Sequence, residues 1–225
     1  VSAMTDFRSV FQVQPFKGDI SRWNMSNATS LCRMFQGSTF NGDISGWDVS
    51  KVVNFSDMFS NGKFNGDVSQ WSVGNAENMS EMFSASAFEG DVSRWDVSNV
   101  EQMYWMFQNS KFNGDISKWD TSRVEGIANM FQRSAFRGDI SQWNTANVSN
   151  FSQMFDLSAF AGDIGAWTIS VSAKIFGMFD RENAARLTKP IFFVWVALLE
   201  GTDYVFPKRW QEHALKFVLV VQSLQ

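Results

Sequence analysis

Along the chain, apolar residues return with a period of 24, and within each period they fall at two different spacings. Ile44, Trp47 and Val49 stand at i, i+3 and i+5, the rhythm of a short strand pressed into a parallel sheet. Val52, Phe55, Met58 and Phe59 stand at i, i+3, i+6 and i+7, one face of about two helical turns. Ser50, just ahead, is placed to cap such a helix. The Phe40-x-Gly42-Asp43 stretch reads as the return turn, with glycine free to take a positive φ and aspartate able to bond nearby amides. Each period is therefore expected to be a strand, a short helix and a tight turn.

The period holds without insertion from Gly18-Asp19 to Gly162-Asp163, from Trp23 to Trp167, and from Met34-Phe35 to Met178-Phe179. One such coil cannot bury its apolar face alone, so coils must stack with like residue on like. Stacking accounts for most of the 23 Phe, 10 Trp and 11 Met. The predicted fold is an α/β repeat solenoid over residues 1–180, with a parallel sheet along one side. Met4, Phe7 and Val10-Phe11 match the helical half of a coil whose strand half is missing. The chain is thus expected to continue upstream of Val1, where any secretion signal would lie. Repetition fails after Phe179, and residues 181–225 are expected to form a C-terminal helical cap or a docking segment. The apolar run at 191–199 is too short to span a bilayer, so membrane contact is expected only as surface docking through this segment.

The phrase F-N-G-D-I-S-x-W-D-V-S, followed by M-F, resembles the BspA-like leucine-rich repeat of bacterial surface proteins and lipoproteins. I-x-x-W-x-V is likewise close to the L-x-x-L-x-L of leucine-rich repeats. The resemblance spans about residues 1–180. It implies a leucine-rich-repeat-like coil, a non-catalytic surface or adhesion role and a cell-surface or extracellular location, and it supplies no catalytic residues.

The net charge of −4 carries little information, because seven of the 23 acidic residues are the turn aspartates. The 19 Lys and Arg form no basic stripe, so nucleic acid is not an expected partner. Cys32 is the sole cysteine and His213 the sole histidine, which excludes an internal disulfide and a multi-histidine metal site. The glycines recur once per coil and form no phosphate-binding loop. The aspartate file from Asp19 to Asp163 is read either as turn caps, the favoured reading, or as a calcium ladder short of oxygen ligands. No cofactor or metal is expected.

Candidate contact residues lie on either side of the tryptophans, where the residue type varies from coil to coil: Arg22, Asp48, Gln70, Arg94, Asp96, Lys118, Asp120 and Gln142. A sharper departure is Tyr104-Trp105, which stands where other coils carry pairs such as Ser56-Asp57 and Ser152-Gln153. Exposed aromatic pairs mark contact sites. The expected function is a non-catalytic protein-interaction or surface-adhesion module, its partner a protein or a glycan surface. The alternatives are a structural peripheral subunit of a large assembly, and a carbohydrate-active enzyme using Asp96 and Asp120 at the roughly 5 Å separation of retaining hydrolysis. Most coils carry a comparable polar residue there, which argues against a catalytic pair. Six Asn-x-Ser/Thr sequons follow as readily from a Ser- and Asn-rich repeat as from glycosylation.

Overall fold

The computed structural model describes residues 4–170 and 172–180. Its coils stack in the 24-residue register: parallel bridges run Asp6, Ser30, Asn54, Asn78, Gln102, Gly126, Asn150, Lys174. Phe64, Phe88, Phe112, Phe136 and Phe160 form one file of rings with centroids 6.3 to 6.4 Å apart. Phe59, Phe83, Phe107, Phe131 and Phe155 form another at 5.7 to 5.9 Å. The two files meet inside each coil, as at Phe83 and Phe88, 4.0 Å apart and nearly parallel. Met58, Met82, Met106, Met130 and Met154 fill the space beside them and are fully buried. The core is thus continuous, and each coil completes the burial of the next.

The α/β class, with its parallel sheet, is overturned for the described residues. Among the described residues there is no α-helix and no extended strand, and strand-like pairing between coils is confined to one isolated bridge per junction. The expected helix fails for a definite reason. In the coil of residues 88–111, the amides of Met103, Trp105, Phe107 and Asn109 donate to Gly126, Ala128, Met130 and Gln132 of the next coil. Those of Met106 and Gln108 close turns onto Met103 and Trp105. Trp105, at the third position of the Met103–Met106 turn, has a positive φ of 54°, and Asn109 one of 51°, as the third position of a type II turn requires of Trp105. A run of four-residue turns presents residues i, i+3 and i+4 inward, as a helix does, so hydrophobic spacing could not separate the two.

The expected strand fails through its own polar residues. Trp95 N closes a turn on Val92 O, and Val100 N closes another on Val97 O. Asp91 Oδ1 accepts the Ser93 amide at 2.8 Å, and Asp96 Oδ1 accepts the Ser98 amide at 3.1 Å. These Asx turns bend the chain twice within a few residues, so it never extends. The expected C-terminal cap at 181–225 lies outside the described residues.

The bent side is tied to its neighbour by tryptophan. Trp95 Nε1 donates to Val68 O of the preceding coil at 3.0 Å, and the same carbonyl also accepts Trp71 N at 3.1 Å. The bond recurs from Trp47 to Trp167. An indole brings one donor and a large apolar face, so it fills the core and leaves no polar atom unpaired. The Gly-Asp glycine has a different role from the one expected. Positive φ among glycines is found at Gly37 and Gly177, not in the Gly-Asp pairs. A Cβ on Gly90 would instead stand 2.8 Å from Cε2 and Cζ of Phe88, whose ring folds across it.

Candidate interaction surface

The residues flanking the tryptophans lie on turn corners, not on exposed strands. Arg22, Gln70, Arg94, Lys118 and Gln142 are solvent-exposed. Asp48, Asp96 and Asp120 are committed to their own turns: each accepts the amide of the serine two residues on. For Asp48 and Asp120 the serine hydroxyl, and then that amide, hold the carboxyl below its ordinary range. Asp19, Asp43, Asp67, Asp91 and Asp115 are lowered likewise, with the amide as the leading cause. The turn-capping reading of the aspartate file thus has a bond behind it in each of these coils. The ion pairs of the described residues join Arg8 to Asp6, Arg33 to Asp57 and Arg123 to Glu101. Among the described residues Arg94 and Lys118 form none, so the exposed residues beside the tryptophans are not joined into one patch by ion pairs.

Tyr104 and Trp105 are brought together. Their rings are 5.7 Å apart and inclined at 49°, Tyr104 half-buried and Trp105 37% exposed. The seat for Tyr104 comes from the next coil. A Cβ on Gly126 would run into the Tyr104 ring and hydroxyl, yet this position holds Asn54, Asn78 and Asn150 in other coils. Two departures in adjacent coils therefore form one feature, and Gly126 was not anticipated. Its signal was present in the sequence: a single glycine breaking an otherwise polar column.

Around this pair the surface is acidic on two sides. Glu81 occupies the Trp105 position one coil earlier; its carboxyl is raised by burial and by the charge of Asp57. Asp57 is buried, paired with Arg33 at 3.3 Å and accepting a hydrogen bond from Gln36 Nε2 at 2.8 Å. On the other side Glu77, Glu101 and Glu125 form a file, joined through the Glu101 amide to Glu77 O and the Glu125 amide to Glu101 O. The last of the three immediately precedes Gly126. The same column reads Thr5, Thr29 and Val53 before them and Ser149 and Ala173 after. This file was not anticipated either, because its column falls in the first turn of the expected helix, where an acidic residue is unexceptional. Among the described residues no three His, Cys, Asp or Glu are grouped to hold a metal ion.

The sequons are bound into the framework: Asn54, Asn78 and Asn150 accept the amides of Ser56, Ser80 and Ser152, and Asn147 Nδ2 donates to Ser122 O at 2.6 Å.

These features define a repeat protein made of stacked turn-built coils, with an aromatic irregularity at its centre and a second exposed ring, Phe176, further along the Tyr104 column. The chain belongs to the family described as Mycoplasma protein of unknown function, DUF285, whose model matches residues 1–89 and again 84–191. No curated protein matches it, and no solved structure does.

Proposed function

We propose that this chain is a non-catalytic interaction module of the surface or adhesion type that its BspA-like motif resembles, with its contact surface centred on Tyr104 and Trp105. The observation that carries the reading is the pairing of that exposed aromatic pair with Gly126. Cys32, Ser56, Ser80, Ala128 and Ser152 stand at the Tyr104 position, where Phe176 is the other aromatic, and the Gly126 position is polar in the other coils. Here the two have changed together, so that Tyr104 is seated and Trp105 faces solvent. Exposed tryptophan and tyrosine dominate binding energy in protein contacts. A turnover reading finds little support, because Asp96 and Asp120 are each committed as acceptors to a turn.

The test uses the protein's own cellular source. A captured protein or glycan is purified, and its affinity for wild type and for the Tyr104→Ser/Trp105→Asp variant is measured by calorimetry, with circular dichroism confirming the fold. At least a tenfold loss of affinity, about 1.4 kcal/mol, is expected. Equal affinity overturns this placement of the contact surface. A hydrolytic activity lost in Asp96→Asn/Asp120→Asn would overturn the non-catalytic reading.

A further inference from the structure

We propose that the Tyr104–Trp105 surface receives a cationic segment of a partner protein, with arginine or lysine side chains lying on Trp105 and facing the carboxylates of Glu77, Glu101 and Glu125. This deepens the interaction reading and rests on it.

Two independent columns break their pattern at the same height in the stack. Glutamate occupies its column in three successive coils, and the middle one is the coil that carries the aromatic pair. Stacking like charges on adjacent coils works against the fold. The structure does little to relieve it: Arg123 reaches Glu101 at 3.6 Å, while Glu77 and Glu125 are exposed with no cation in ion-pair range among the described residues. The repulsion is offset when a partner supplies positive charge. Tyr104 connects the two features, since its ring lies on Gly126, the residue after Glu125. A guanidinium or ammonium over an indole face gains cation–π attraction, and the neighbouring carboxylates add charge complementarity and faster encounter. A neutral glycan would use the aromatic rings but would leave the glutamate file unanswered, and for that reason the charge selects a basic protein segment.

The experiment uses the full chain labelled with 5-fluorotryptophan, followed by fluorine NMR, with the Trp105 signal assigned from Trp105→Phe. The probe is a blocked oligo-arginine peptide, with a neutral Gly-Ser peptide of equal length for comparison. The Trp105 signal should shift with oligo-arginine and not with Gly-Ser, and binding should weaken as salt rises. Glu77→Gln/Glu125→Gln should weaken it about tenfold. A charge-matched control away from this surface, Glu89→Gln/Asp139→Asn, should leave it within about twofold, since an asparagine at 139 can still accept the Ser141 amide. A stationary Trp105 signal, or equal loss in the two double variants, overturns the proposal. A natural partner that needs Tyr104–Trp105 but binds equally well to the glutamate variant would overturn the cationic assignment and leave the interaction reading standing. A partner indifferent to Tyr104→Ser/Trp105→Asp would remove both.

Discussion

The two halves of each coil are held to their neighbours in opposite ways. From about residue 101 to 109 the main chain itself makes the connection, with amides donating to the carbonyls of the next coil. From about residue 90 to 100 the amides of Trp95 and Val100 close turns within the coil, and the link to the preceding coil is made by side chains, through Trp95 Nε1 and Asn99 Nδ2. The first half depends on backbone geometry and tolerates almost any outward side chain, including Tyr104 and Trp105. The second depends on particular residues, which is why Trp, Gly and Asp recur there so strictly. A surface able to diversify therefore belongs on the backbone-tied half, where the aromatic pair and the glutamate file both lie.

The largest effect should come from breaking the side-chain-tied half. Trp95→Ala removes a 4% exposed indole and should cost about 3 to 5 kcal/mol, seen as a fall in the denaturation midpoint in urea. Trp95→Phe keeps most of the ring but removes the donor to Val68 O. That carbonyl retains its bond from Trp71 N, so the cost should be smaller, about 1 to 2 kcal/mol. Equal losses from the two variants would mean that the hydrogen bond, not packing, holds the coils together here. Gly90→Ala comes next: its methyl enters the Phe88 ring and should cost about 1 to 3 kcal/mol.

The backbone-tied half is tested by restoring its ordinary residue. Gly126→Asn should be tolerated by the main chain, since Asn54, Asn78 and Asn150 stand at that position in other coils. It should nevertheless destabilise the protein by about 1 to 3 kcal/mol, because Tyr104 occupies the space. Tyr104→Ser combined with Gly126→Asn should recover most of that loss. A double-mutant cycle reads the coupling directly, and additive losses would show that Tyr104 and Gly126 are not one feature.

The sequence disclosed the period, the inward residues and the core ladders, because burial of Phe, Met and Trp leaves an unmistakable spacing. It did not disclose the local conformation. Arg33, Asp57, Glu81, Trp105 and Gln153 all adopt positive φ, which such residues avoid when free, so nothing in their identity announces a left-handed turn. Stacking imposes it, through bonds such as Trp105 N to Ala128 O. The Gly-Asp glycines misled in the converse direction: glycine suggested backbone freedom, and the structure uses it as room for a phenyl ring. At the site, the aromatic pair was visible as an exception to its column. The aspartates beside the tryptophans were visible too, but their commitment to turns shows only in the bonds to Ser50, Ser98 and Ser122.

The smallest effect separates the halves by pH. Asp19, Asp43, Asp67, Asp91 and Asp115 have carboxyls lowered by their serine partners. Their contribution is fully present above the unfolded value near 3.9 and is lost as pH falls through the lower folded values. On the backbone-tied half Glu81 is raised, by burial and then by Asp57. Its ionisation works against the fold above the unfolded value near 4.3, and the penalty is relieved as pH falls through its folded value. Wild type should therefore lose thermal stability below about pH 4 as the turn aspartates are protonated. Glu81→Gln should stabilise the protein slightly at pH 7, by less than about 1 kcal/mol after allowance for partial exposure, and the gain should vanish near pH 3 while the acid-induced loss remains. A Glu81→Gln variant that abolished the acid-induced loss would place the pH sensitivity on the backbone-tied half and leave the turn aspartates without the role assigned to them.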